Sequence, residues 1–524
     1  MMKRLLLAAT AATLVGLSAA APASAAEIRY ASAGDIYGLD PHSMTDSFSI
    51  NFLQHIYEPL VRYSKDLKIE PALAERWEAV QPDVVRYHLR QGVKFHDGAA
   101  FTADDVVVSL KRATHEKSPI KGNLPALKDV VKIDDFTVDL HLTGPTPLLN
   151  NFLTNMSIFD AGWLEANNAV EPVNAQQGEE GFTTRNANGT GPFKLESRRP
   201  DAQTVLLANE DWWDTPQHNL TKIIHTPIGS DATRVAALLS GEIDIIVPSP
   251  LQDAGRIANS AGVKVLEAPG LRTIMMGFNI KDELNDGDVE GNPFQNPAVR
   301  KAVYQAINMD LIRDRIMRGK SRNAGALVAP EVPGFDAAVN ERFAHDLEAA
   351  KAALAEAGYP NGFQFNMNCP NDAYVNDEEI CQAMAAMLAQ AGLKPKLVTE
   401  ARTLHFQKAL AGQADLFMLG WATLPMLDGY SVLSAMLHSP DDKLGTWNPG
   451  GYVNAKLDEL TEQVDVELDE EKRRALMVEA FAIARDEVAW LPLHQQPLSW
   501  ATRDNVHVEQ TADDLLRLWY AKVD

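Results

Sequence analysis

Two segments of this chain carry the same corner. In Ala236-Ala-Leu-Leu-Ser-Gly-Glu-Ile-Asp-Ile-Ile246 and in Lys408-Ala-Leu-Ala-Gly-Gln-Ala-Asp-Leu-Phe417, a helical pattern ends at Gly, an Asp follows three positions on, and a buried strand begins. A Gly just past a helix is the usual left-handed stop. One corner lies in the first half and one in the second. Two α/β lobes with matching helix–strand junctions produce this recurrence; independent use of a common motif also does. We take the two-lobe reading. The second corner runs on through Leu416-Phe-Met-Leu-Gly-Trp-Ala-Thr-Leu-Pro-Met-Leu-Asp-Gly-Tyr430. A buried strand there breaks into a Pro- and Gly-punctuated loop holding Trp421, Asp428 and Tyr430. Open α/β sheets bind small ligands just beyond strand carboxyl ends, so this loop is expected to form one jaw of a ligand clamp.

The N-terminus points to export. Lys3 and Arg4 precede the apolar run Leu5–Leu17, and Ala23-Ser24-Ala25 ends the segment. That is the layout of a cleaved signal peptide, and the run is shorter than the ~20 residues a membrane span needs. No Cys lies near the cut, which argues against a lipoprotein. About 500 residues remain, enough for two or three lobes with their own cores. The formal charge of −23 becomes −25 without Lys3 and Arg4. So acidic a surface repels nucleic acid and anionic lipid. Cys369 and Cys381 form an even pair, which in an exported protein invites a disulfide worth about 3 kcal/mol in the chain-entropy model. A metal pair is the weaker alternative, since no His lies beside them.

Local patterns supply the elements. Glu27–Ser32 reads as a strand leading into a polar loop that reaches Met44-Thr45-Asp46-Ser47. Thr102 with Asp105 three residues on forms a capping box, followed by an apolar face of Val106, Val107 and Leu110. Phe136, Val138, Leu140 and Leu142 alternate as a half-buried strand. Asn296-Pro297 is an N-cap followed by a first-turn proline. Phe363–Cys369 alternates as a strand, and Asp377–Leu388 follows as a helix with Ile380, Met384, Met387 and Leu388 inward.

Longer motifs occur in a fixed order. They are Leu73-Ala-Glu-Arg-Trp77, Phe101-Thr-Ala-Asp-Asp105, Gly189-Thr-Gly-Pro-Phe193, Trp212-Trp213, Phe278-Asn279, Asn296-Pro-Ala-Val-Arg300, Gly420-Trp421, Gly451-Tyr-Val-Asn454 and Trp490-Leu-Pro-Leu493. Across essentially the whole mature chain this order resembles the peptide/nickel-type (family 5) extracellular solute-binding proteins of ABC importers, dipeptide- and oligopeptide-binding proteins among them. The resemblance implies a bilobal α/β periplasmic-binding-protein fold of type II, with an extra subdomain in the first lobe and a hinge between lobes. By this analogy, residues 26–65, 185–273 and 492–524 form the core of lobe I. Residues 66–184 form its extra subdomain and 274–491 form lobe II. Hinge crossovers are expected near Leu271–Phe278 and Ala489–Pro492.

The resemblance also implies the site and partners. Ligand contacts are expected from Met44, Thr45, Asp46 and Ser47, from Asp372 and Tyr374, and from Trp421. Asp428, Tyr430 and Trp447 join them from the sequence reading. The expected partners are a small solute and an inner-membrane ABC permease, with no nucleic acid, no cofactor and a monomeric receptor in the periplasm. Two departures bear on the solute. Where peptide-binding relatives place an Asp for the peptide amine, this chain has Leu424. Where dipeptide binders place an Arg for the carboxylate, it has Asp372. An unpaired buried charge costs several kcal/mol, so an ordinary free dipeptide is disfavoured. An amine-bearing or hydroxyl-rich solute, opine-like, a sugar conjugate or a modified peptide, is expected instead.

Alternatives remain for single residues. Trp421 offers a stacking face or closes the core at the strand end. Asp428 binds an amine or ties its own loop. The chain lacks a Gly-x-Ser-x-Gly elbow, a His-Glu-x-x-His and a phosphate-loop Lys, and its thirteen His residues show no metal-ligand spacing. A non-enzymatic binding protein is therefore expected, an exported hydrolase or a ligand-presenting chemosensory protein being the alternatives.

Overall fold

The structure, a computed structural model, describes residues 26–524, and the expected signal peptide, residues 1–25, lies outside them. Its main sheet takes ten strands in chain order: β1 (Ala26–Ser32), β2 (Phe193–Arg199), β3 (Gln203–Ala208), β4 (Leu220–Pro227), β5 (Ile245–Val247), β6 (Val263–Phe278), β7 (Gln364–Pro370), β8 (Lys394–Glu400), β9 (Leu416–Trp421) and β10 (Trp490–Arg503). They line up as β8-β7-β9-β6-β10-β5-β1-β4-β3-β2, with the short strand Arg322–Asn323 paired to β10 as an eleventh. The left end of this order is the core of lobe II and the right end that of lobe I.

The repeated corner does the same work in both lobes. The helix Asp231–Ser240 stops at Gly241 (φ 81°). Asp244 then accepts the backbone N–H of Arg29 in β1 at 2.9 Å and both arms of the Arg29 guanidinium. The helix Arg402–Leu410 stops beside Gly412 (φ 70°). Asp415, fully buried, accepts the backbone N–H of Asn366 in β7 at 3.0 Å. It also takes the side chain and backbone amide of Asn285. In each lobe the Asp pins the start of its strand to a parallel neighbour, β1 beside β5 and β7 beside β9. A buried carboxylate is tolerable because each one is fully hydrogen-bonded.

β6 and β10 cross from one lobe to the other as an antiparallel pair along most of their length. Their register shifts twice here, between Pro269 opposite Pro497 and Thr273 opposite Gln495, and again between Ile274 opposite His494 and Met275 opposite Pro492. The second crossover was expected at Ala489–Pro492. In the structure Trp490 and Pro492 are paired with Gly277 and Met275; one shift lies beside Pro492 and the other at Gln495–Pro497. The Trp-Leu-Pro-Leu motif opens β10 and ends at the first of these shifts. Bulges re-aim side chains, and the one between Pro269 and Thr273 turns Leu271 and Arg272 towards the space between the lobes.

A second sheet of four antiparallel strands, Ala74–Gln81, Val84–Leu89, Thr137–Leu142 and Leu127–Asp134 in that order, stands apart from the main one. The helix Ala103–Ala113 covers it, opened by the Thr102–Asp105 capping box at 2.7 Å. Glu58 ties together two segments of the lobe I core. Its buried carboxylate accepts from Thr190 and from the indoles of Trp212 and Trp213, and burial pushes it up to about 7. Two of the ordered motifs thus meet on one acid. In lobe II, Phe294 packs edge-on against Phe363 and Phe365 at 5.4 and 5.1 Å. Each such ring contributes roughly 1.5–3 kcal/mol by burial. Cys369 and Cys381 are bonded, joining the end of β7 to the helix Asp377–Gln390.

Candidate functional site

Between the lobes lies a cleft of about 1040 Å³. Its lobe II wall is built from the end of β9. Gly420 must lack a side chain there: a Cβ would sit 2.6 Å from Tyr374 Cε1 and 2.7 Å from Ile274 Cδ1. The Gly420 N–H donates to Tyr374 Oη at 2.7 Å. Tyr374 is held in turn by Asp377, which accepts the backbone N–H groups of Ala373 and Tyr374 at 2.9 Å. From Tyr374 the rings continue edge to face, to Phe406 at 6.5 Å, to Trp447 at 6.2 Å and to Trp421 at 5.8 Å. All four are half-buried and border the cleft. This is an aromatic arc with faces and edges left for a ligand.

Two guanidiniums flank the arc. Arg272, on the bulge, donates to Gly420 O at 2.9 Å and lies 5.9 Å from the Tyr374 ring centre. Arg402 is exposed at the start of its helix. Neither forms an ion pair among the described residues, whose Arg side chains are otherwise mostly paired. On the lobe I wall, Asp35 is occupied by Arg198 and Asp513 by Arg517. Asp514 is accessible from the cleft while protein surrounds it, and among the described residues only the indole N–H of Trp500 hydrogen-bonds its side chain, at Oδ1. Desolvation raises its carboxyl to about 6, with Asp513 pushing the same way and the Trp500 hydrogen bond and Arg272 opposing. His55, also on the wall, is lowered to about 4 by burial. Among the described residues no group of three or more His, Cys, Asp or Glu side chains is placed to hold a metal ion.

A two-lobed sheet, a ligand-sized cleft at strand ends and an aromatic jaw are what the family resemblance implied. The family model for bacterial extracellular solute-binding proteins, family 5 middle, matches residues 68–443. The chain belongs to this family. Heme-binding protein A of Haemophilus influenzae is 28% identical to it over 494 residues, 88% of this chain and 86% of that one. The dipeptide-binding protein of Escherichia coli is 28% identical over 436 residues, 78% of each. The structure of HbpA2 from Haemophilus parasuis shares the fold at a TM-score of 0.82 and 24% identity, covering 95% of this chain and 100% of that one. Family 5 proteins deliver peptides and other solutes to ABC permeases, and this chain is such a solute-binding component. Its relatives are binding proteins, which favours binding over catalysis. The family is extracellular, and no described helix is long and apolar enough to cross a membrane.

The family 5 cleft gathers five of the residues singled out from sequence: Asp46, Ser47, Tyr374, Trp421 and Trp447. The other five lie elsewhere. Met44 is fully buried in the lobe I core, because the early loop turns its apolar member inward. Thr45 faces out and bonds Gln176. Asp372 is exposed and outside the cleft lining, accepting the backbone N–H of Arg402 at 2.6 Å. Asp428 is buried and takes both arms of Arg473 at 2.7 and 2.9 Å, plus the N–H of Tyr430. Tyr430 is packed in the core beneath the loop. Burial corrects the ligand-contact expectation for Met44, Asp428 and Tyr430, with Asp428 bracing its own loop, while Thr45 and Asp372 are exposed outside the cleft lining. Even Asp46 spends one oxygen capping the helix Ser47–Leu53, through Ser49.

Sequence reading missed Arg272, Arg402 and Asp514. One signal was available for Arg402. A cation in the first turn of a helix opposes the helix dipole, so its presence there asks for another reason.

Proposed function

We propose that this receptor captures a small, carboxylate-bearing solute between its lobes, stacked on the Trp421–Trp447 arc, and hands it to an inner-membrane permease. The observation that carries this reading is the pair of guanidiniums, Arg272 and Arg402, left without ion-pair partners among the described residues at the rim of an aromatic wall. Arg matches carboxylate geometry through two parallel hydrogen bonds. The tilt towards an amine-bearing or hydroxyl-rich solute drew on Trp421, Asp428 and Asp372; Asp428 is buried on Arg473, and Asp372 lies outside the cleft lining. Opine-like, peptide-like and sugar-acid conjugates remain the candidate classes. The named ligands of the two relatives, haem and a dipeptide, also carry carboxylates. The lobes close about the β6–β10 crossing, with lobe I drawn from residues 26–65, 185–273 and 492–524 and lobe II from 274–491. The receptor works as a periplasmic monomer after cleavage near Ala25.

The test is a thermal-shift screen of matched solute pairs, each acid beside its amide. Stabilisation by acids and not by their amides is the expected result. Equal stabilisation by both, or shifts only with neutral sugars, rejects the reading.

A further inference from the structure

We propose that Asp514 reads a cationic group of the same solute, so that the receptor selects zwitterions whose amine faces lobe I and whose carboxylate faces Arg272 and Arg402. This rests on the reading above and adds its second half.

Three observations meet at this residue. The first is its chemistry in place. Oδ1 of Asp514 is fixed by the Trp500 indole at 2.7 Å, while Oδ2 has no hydrogen-bond partner among the described residues and the side chain is open to the cleft. Its neighbour Asp513 shows the contrast: that carboxylate is buried and takes Arg517 and Thr511. The second is its backbone. Asp514 stands at φ 61°, the left-handed region. Residues held there by their surroundings concentrate at ligand sites. The tight turn through Thr511 O aims the carboxylate inward. The third is charge geometry. Arg272 is near enough to stabilise the ionised Asp514, yet the two form no ion pair among the described residues. The Leu271 N–H donates to Ala512 O at 3.2 Å, so the bulge bearing Arg272 and the turn bearing Asp514 are fastened together. Opposite charges held near each other but apart suit a solute carrying both signs.

This also accounts for Leu424. Leu424 lines the cleft as an apolar side chain, so the lobe II jaw offers no carboxylate for an amine. A cation reader on lobe I reverses the ligand's polarity across the cleft, or offsets its amine towards the crossing strands.

The experiment exposes the purified full chain to one defined pool of glutathione, opines, dipeptides, their N-acetylated forms and sugar acids, and identifies retained solutes by mass spectrometry. Affinities of the retained solutes are then titrated against wild type and Asp514→Asn. Asn is isosteric and tolerates the left-handed backbone, and an unchanged melting temperature confirms the fold. Free-amine acids should be retained over their N-acetyl forms, and Asp514→Asn should weaken them roughly 10- to 100-fold. N-acetylated acids should bind weakly to both proteins and with little difference. Retention of acids with no preference for a free amine, unchanged in the variant, overturns this proposal and leaves the carboxylate reading standing. Retention of no acid from the pool overturns both.

Discussion

At the scale of single residues, the structure separates carboxylates that hold the protein together from those that face the cleft. Asp428 and Arg473 form a buried bidentate pair with side-chain exposures of 3% and 8%. Removing one partner of such a pair strands the other, at a cost of about 3–5 kcal/mol. Asp428→Ala should therefore lose about that much stability in denaturant unfolding; a loss below 1 kcal/mol would return Asp428 to the ligand candidates. Asp514 makes the opposite prediction. Burial pushes its carboxyl up to about 6; it faces Asp513, Arg272 and the Trp500 N–H, with Tyr30 also within electrostatic reach. The ionised form is the one that binds a cation. Affinity for an amine-bearing solute should be full above about pH 7 and fall as pH drops through 6, and Asp514→Asn should flatten that profile. A wild-type profile already flat from pH 7 to 5 contradicts the role. From sequence, nothing separated these acids. Asp428 is decided by Arg473, 45 positions away, and Asp514 by a turn and an indole that no local pattern reveals.

At the scale of elements, the sequence was more legible. The repeated corner, the Thr102 capping box, the Asn296 cap and the apolar face of Asp377–Leu388 all follow from local chemistry, and the structure forms each of them. The Gly420-Trp421 pair was also visible as the end of a strand, though not why it must be Gly. The reason is contact: Tyr374 and Ile274 fill the space a side chain would need. Gly420→Ala should displace Tyr374 and break the arc at its first ring, weakening solute binding at least tenfold, while the disulfide at Cys369–Cys381 keeps β7 and its helix in place. Calorimetric titration checks this; unchanged affinity would show that the arc tolerates a shifted Tyr374. What sequence could not place at this scale was the bulge at Gly270–Arg272. Pro269-Gly270 inside a strand pattern is a bulge signal, but only the facing strand reveals where the register shifts.

At the scale of the whole molecule, the two lobes already touch beside the cleft. Tyr63 Oη donates to the carbonyls of Pro425 and Met426 at 3.0 and 3.1 Å. Asn151 Nδ2 donates to Met426 O at 2.7 Å. These bonds fasten the first lobe's side of the molecule to the loop that carries Leu424. Asp428 and Arg473 brace that loop from behind, so the clasp closes on a rigid jaw. Replacing Tyr63 by Phe and Asn151 by Ala removes the donors without touching the cleft wall. The double variant should shift the solute-free ensemble towards open forms, seen as a larger radius of gyration in solution scattering; an unchanged radius would show that the clasp follows closure without favouring it. The proposed grip on a carboxylate runs through Arg272 on the crossing strand. The most direct measurement is calorimetric titration of an acidic solute from the screen into wild type and Arg272→Met. The account predicts at least a tenfold loss of affinity at unchanged melting temperature, and equal affinity for the two proteins would contradict it.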